Sequence, residues 1–196
     1  GSVVYRTDWD KLNKQFKEKF GFDIRLFNNE KLIEIYNNAN IGKATVRDMI
    51  IFLDHEKDDD KIVKYYKKYY FNSKIVNEEM IKIINNLKKR YPLYAITDTI
   101  KEHYESNKEN KIFNNFKKVF ASHELGRRKD DLTVFKDVIK EIGFKPEEVI
   151  FIDDYLPNIE NAKKVGLKTI HYKDFPKMEK FNEELKKILR ENLPFR

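Results

Sequence analysis

Val149-Ile150-Phe151-Ile152 is an unbroken apolar run that ends on two adjacent carboxylates, Asp153 and Asp154. A strand wetted on one face alternates apolar with polar residues. A continuous run needs cover on both faces, and parallel sheets flanked by helices supply it. The surrounding sequence repeats the pattern. From residue 77 onward, amphipathic helical stretches (NEEMIKIINNLKKRY, DLTVFKDVIKEIGF, NIENAKKVGL) alternate with short strands (LYAIT, KKVFASHE, EVIFIDD, KTIHY). In the second of these helices Leu132, Phe135, Val138, Ile139 and Ile142 share one face, and Gly143 gives the stop signal. The expected fold class is therefore α/β, with a doubly wound parallel sheet as its core.

The first third of the chain reads differently. VVYRT (3–7) is β-branched and aromatic and predicts a strand, but from Asp10 to about Val76 the apolar spacing is helical. Four helices are expected: one carrying Trp9, Leu12, Phe16 and Phe20 and stopped at Gly21, one stopped at Gly42, one capped by Thr45 with Asp48 at the capping-box position, and one opening on acidic residues. The expected organisation is a core of residues 1–10 and 77–196 with a four-helix cap, 11–76, inserted near its start. With 196 residues the chain is long enough for a core and a smaller lobe.

Composition removes several function classes. There is no cysteine, so disulfides and thiolate metal sites are excluded; this fits a reducing compartment, and a cytoplasmic location is expected. No apolar run approaches the roughly 20 residues of a membrane span. The net charge of +7 comes with lysines interleaved among aromatics, as in KIVKYYKKYY. Aromatics at helical spacing face a core and leave the lysines solvated, so an anionic small molecule is the expected partner and nucleic acid is not.

Reactive groups collect at the strand ends. LYAIT ends on Thr97, followed by Asp98 and Thr99; the loop after VFASHE carries Arg127, Arg128 and Lys129; VIFI ends on Asp153 and Asp154. In open parallel sheets, ligands bind at the carboxyl ends of the strands. A hydroxyl, a cation and a carboxylate pair at one edge suit a phosphate with Mg2+, because the carboxylates hold a hard cation through oxygen. Taken singly, the carboxylate pair also reads as a helix N-cap, Thr97 as a turn hydroxyl and the three cations as a solvated loop.

In this combination the chain resembles the haloacid dehalogenase superfamily, most closely its phosphatase-type members with a helical cap. LYAITDT resembles the second motif of that group, SHELGRRKDDLTVFKDVIKEIG the third and VIFIDDYLPNIENAKKVGL the fourth, while TDWDKLNKQFKEKFGF resembles the start of its cap. The resemblance implies Thr97 as a phosphate-binding hydroxyl, Lys129 as the phosphate-neutralising lysine, Asp153 as a magnesium ligand and Asp154 as a second ligand or its support. It also implies a Mg2+-dependent phosphatase of small phosphorylated metabolites that works through an aspartyl-phosphate.

The family's first motif, Asp-x-Asp after the first strand, has no clear counterpart here. Either the chain as given begins after it, or Asp8-Trp9-Asp10 supplies it, with Asp8 as nucleophile and Asp10 as general acid/base. Without such a pair, the implied function is a non-catalytic phosphate-binding or regulatory protein, or a fragment that lacks its nucleophile.

Overall fold

The structure, a computed structural model, describes residues 3–25, 29–53 and 60–191. In chain order its elements are β1 (Tyr5–Thr7), α1 (Trp9–Phe20), α2 (Glu30–Asn40), α3 (Val46–Leu53), α4 (Asp60–Asn72), β2 (Lys74–Val76), α5 (Glu78–Leu87), β3 (Tyr94–Thr97), α6 (Lys101–Glu109), β4 (Lys118–Ala121) and α7 (Ser122–Leu125). They continue with α8 (Leu132–Ile142), β5 (Ile150–Asp153), α9 (Leu156–Lys164), β6 (Lys168–His171) and α10 (Glu179–Glu191).

The expected helix signals operate locally. Asp8 caps α1 by accepting the Lys11 N–H on its side chain at 2.9 Å, and Gly21 closes the helix in the left-handed conformation at φ +85°. Asp48 accepts from the Thr45 N–H at 2.8 Å and from the Thr45 hydroxyl at 2.7 Å, so the capping box at the start of α3 is present. One element departs from the sequence reading. Lys74–Val76, expected to belong to a helical region, is strand β2 and pairs with β1. Three residues carry no periodicity of their own, and their extended state is set by the partner strand.

The chain divides into two compact units, Gly1–Tyr5 with Val76–Asn86 and Asp130–Arg196, and Arg6–Ile75 with Leu87–Lys129. In the second, α1 to α4 bury one apolar cluster that includes Leu12, Phe16, Leu32, Val46, Ile62 and Tyr66, and Ile100, just before α6, belongs to it. Phe16 is fully enclosed and packs on Phe20 and Phe22 at ring-centroid distances of 4.8 and 5.3 Å. Burying one such side chain contributes about 1.5–3 kcal/mol. The same unit holds the parallel pair β3–β4, in register Thr97↔Ala121, so both strands finish together.

The other unit contains the second parallel pair, β5–β6, with Asp153 opposite His171 at its end. α8 and α9 supply Val134, Phe135, Ile159 and Ala162 as buried residues, and Phe135 meets Phe151 edge-on at 5.0 Å. Phe151 sits on β5 between neighbours of the same apolar kind, which is why the strand carries no polar alternation. Among the described residues the parallel pairing is thus found in two ladders of two strands each.

Asn77 anchors this unit. Its Nδ2 donates to the Tyr172 hydroxyl at 2.6 Å, and its Oδ1 accepts the Met80 N–H at 3.1 Å, capping α5. Replacing it by alanine removes both and leaves a buried phenol without its donor. Asn77→Ala is expected to destabilise the protein by about 2 kcal/mol, read as a shift of the urea midpoint at unchanged m-value.

Candidate active site

Thr97 is the last residue of β3, and Asp98 follows it directly. The Asp98 Oδ1 accepts the backbone N–H of Lys129 at 3.1 Å. This bond fastens the loop after α7 to the end of β3. Of the three cations in that loop, Lys129 is the buried one, at 5% exposure, whereas Arg127 and Arg128 are half-buried. Arg128 reaches instead to the side chain of Asn37, 3.5 Å away on α2. A lysine buried to this extent is not a solvated loop residue.

A second tie lies at the neighbouring strand end. Ser122 begins α7 directly after β4, and its hydroxyl accepts the Thr99 N–H at 2.9 Å and donates to the Thr99 carbonyl at 3.2 Å. Both ends of the parallel pair are therefore held by side-chain bonds, and the turn carrying Thr97 and Asp98 has little freedom. Ser122 was not singled out from sequence, and Asp98 only as the residue after Thr97. The available signal for Ser122 was its position, a hydroxyl just past a strand end, as for Thr97.

Asp153 ends β5 and is buried at 4% exposure. Its Oδ1 accepts the Tyr155 N–H at 2.9 Å and the Asn158 side-chain amide at 3.1 Å. Both donors come from the start of α9, so the carboxylate is oriented by the helix that follows. Asn158, itself buried, thus acts on the site through Asp153. The Asp154 carbonyl accepts from the His171 Nε2 at 3.1 Å, which puts the ring proton on that nitrogen.

The donor chemistry here fits magnesium. Carboxylate oxygens are hard ligands, and Mg2+ is commonly held by one or two of them with the remaining positions filled by water and substrate phosphate. Among the described residues no group of three or more His, Cys, Asp or Glu side chains is arranged to hold a metal.

Asp8 and Asp10 stand at the start of α1. Asp8 is the α1 N-cap described above, and Asp10 is exposed in the first turn of that helix. The strand that precedes them, β1, pairs with β2 and not within either parallel ladder. Thr97, Lys129, Asp8 and Asp10 belong to one compact unit, and Asp153 and Asp154 to the other. The structure brings Thr97 and the Lys129 loop to one strand end, and the carboxylate pair with Asn158 to another.

Comparison with known proteins supplies the wider frame. The family model described as Haloacid dehalogenase-like hydrolase matches residues 11–172. An HAD family enzyme of Bacteroides thetaiotaomicron has a similar fold, with a TM-score of 0.77 and 22% identity over 92% of this chain and 94% of that one. The same enzyme has been solved in complex with magnesium and inorganic phosphate, with a TM-score of 0.75 and 21% identity over 92% and 94% of the two chains. An HAD-like family hydrolase of Porphyromonas gingivalis gives 0.76 and 20% over 94% and 93%.

Curated relatives match over shorter stretches. A drimenol cyclase of Aspergillus calidoustus is 41% identical over 61 residues, 30% of this chain and 12% of that protein. A sesquiterpene phosphatase of Aspergillus oryzae is 41% identical over 59 residues, 30% of each chain. The chain thus spans a minor part of the curated relatives it matches. Among the described residues, no helix is long and apolar enough to cross a membrane.

Proposed function

The chain belongs to the haloacid dehalogenase-like hydrolase family, and from that membership we propose that it is a Mg2+-dependent phosphatase of small phosphorylated metabolites in the cytoplasm. The observation that supports this reading is a buried Lys129 whose backbone N–H donates to Asp98, the residue that follows Thr97 at the end of β3. A phosphate bound there receives a hydrogen bond from Thr97 and charge neutralisation from Lys129, the two needs of a transferring phosphoryl group. Asp153 and Asp154 would hold a magnesium ion, the charge-neutralising metal of this chemistry.

The nucleophile in this reading is Asp8. Its carboxylate oxygen forms a bond to phosphorus as the bond to the leaving oxygen breaks, giving an aspartyl-phosphate. Asp10 gives its proton to the departing alkoxide. It then takes a proton from the water that hydrolyses the intermediate and releases phosphate. A second reading is favoured by one observation: the Asp8 side chain already serves as the α1 cap. On that reading the chain binds phosphate without turnover.

One substitution separates the two. Asparagine caps helices as well as aspartate does, so Asp8→Asn keeps α1 intact within a few tenths of a kcal/mol while removing the nucleophile. Hydrolysis of p-nitrophenyl phosphate is measured with and without Mg2+. A prenyl monophosphate is included because one relative is a sesquiterpene phosphatase. Magnesium-dependent turnover that falls at least about 10³-fold in Asp8→Asn, at unchanged melting temperature, is the expected result. Turnover that survives the substitution removes Asp8 from the mechanism, and phosphate binding without turnover in the parent protein establishes the second reading.

A further inference from the structure

His103 lies inside a cluster of rings and ionisable groups that the phosphatase reading does not use. It is buried on α6 and stacks on Tyr70 at a centroid distance of 3.7 Å and an interplanar angle of 9°. Tyr66 lies parallel to it at 5.7 Å, with its hydroxyl 2.9 Å from the His103 Nε2. The Tyr70 ring is shared, because the Lys74 Nζ lies 3.7 Å from its centroid. Trp9 and Tyr36 complete the surround at 5.9 and 6.4 Å. Four elements of one compact unit, α1, α2, α4 and β2, thereby converge on a single side chain of α6.

We propose that this cluster is a proton-operated latch: α4 and β2 stay clamped on α6 while His103 and Lys74 are neutral, and protonation of either loosens the clamp. The groups that face the imidazole are Trp9 from α1, Tyr36 from α2, Tyr66 and Tyr70 from α4, and Lys74 from β2. None of them is a carboxylate. Glu102, the neighbour of His103 on α6, is turned to α3 and accepts the Val46 N–H on its Oε1 at 3.1 Å. Burial raises the pKa of that carboxyl above its usual range. Among the described residues, a proton arriving on His103 thus meets phenols and an indole and lies near a second potential cation.

The electrostatics agree with the geometry. Burial, and then the nearby Lys74, hold His103 well below the ordinary imidazole range. Burial alone pulls Lys74 down to about 7 from its ordinary 10.5. Burial also keeps the Tyr66 phenol protonated far into the alkaline range, so it remains a donor for Nε2. Both bases therefore release a proton on closing, and the signs coincide. Between about pH 7 and 10.5 the open state carries the extra proton on Lys74, so closure strengthens as pH rises through that window. Below about 6.5 the open state takes a proton on His103 that the closed state refuses, so closure weakens as pH falls.

The test is amide hydrogen exchange on the full chain from pH 5.5 to 9.5, expressed as protection factors for α4 and α6. It needs no enzymatic activity, so its outcome is independent of the phosphatase reading. Each proton taken up on opening changes protection by about tenfold per pH unit. Protection is expected to rise with pH on both sides of neutrality. Lys74→Met abolishes the alkaline slope and raises protection at neutral pH. The double variant Tyr66→Phe/His103→Phe keeps the stacked rings, removes the hydrogen-bonding pair together and abolishes the acid slope. Trp9 is the only tryptophan, and its emission is expected to fall on acidification only in proteins that retain His103. A flat profile in the parent protein, or identical slopes in the parent and either variant, overturns the latch. If the double variant does not fold, an alkaline slope persisting in Lys74→Met does so alone.

Discussion

Lys129→Met is expected to lower phosphomonoester turnover by about 10²–10³-fold, the cost of removing one preorganised charge-stabilising group from a phosphoryl-transfer site. Methionine keeps the unbranched stem and fills the space of a residue that is 5% exposed, so packing survives and only the ammonium is lost. The backbone N–H that binds Asp98 is untouched by the change. The loop therefore stays fastened, and the effect reports on charge. Thr97→Val tests the companion hydroxyl with the same logic and a smaller loss, about tenfold. Lys129→Arg is not expected to restore the rate, because a planar fork does not reproduce a point charge in an enclosed position. Activity of Lys129→Met within threefold of the parent would remove the lysine from the site. If the parent protein binds phosphate without turnover, the same comparison is made by calorimetry with inorganic phosphate.

The largest effect on folding is expected at Gly42. This residue follows α2 and adopts φ +74°, and a Cβ built there would lie 2.3 Å from the backbone carbonyl oxygen of His123. Two costs combine in Gly42→Ala. The left-handed conformation costs an alanine about 1–2 kcal/mol, and the collision with main chain, which cannot swing aside as a side chain could, adds about 1–3 kcal/mol. Gly21 is the control. It has φ +85° but nothing within 4 Å of a Cβ, so Gly21→Ala should cost only the conformational part, about 1–2 kcal/mol. Urea denaturation of the two variants separates the contributions. Equal losses would mean that the α2 end and the segment around His123 are not in close contact in solution.

Much of the fold was readable because its signals are local. The cap at Thr45 and the glycine stops at Gly21 and Gly143 are interactions within four residues, and helical periodicity needs no knowledge of what a helix packs against. The strands of the two parallel ladders were legible from short β-favouring runs that alternate with helical stretches. β2 was not, because Lys74-Ile75-Val76 has no period and owes its extended state to β1. The site divides in the same way. Thr97, Lys129 and Asp153 stand at recognisable places relative to strand ends and motifs. The bonds at the β3–β4 end, Asp98 to the Lys129 N–H and Ser122 to Thr99, span 31 and 23 residues and have no sequence signature, whereas those on Asp153 come from Tyr155 and Asn158 close by in the chain.

His103 shows the limit most clearly. In sequence it is a lone histidine in the polar stretch KEHYESNKE, with nothing to mark it as enclosed. Its setting is made by Trp9, Tyr36, Tyr66, Tyr70 and Lys74, brought from positions 29 to 94 residues away by the packing of four elements.

By itself, then, the order of residues determined which segments are helical, which strands are buried and which functional groups stand at their ends, because periodicity, capping and burial preference act over a few neighbouring positions. Which lysine is enclosed and which histidine is cut off from water were decided only when the chain packed. Desolvation and long-range hydrogen bonds are properties of surroundings assembled from distant segments.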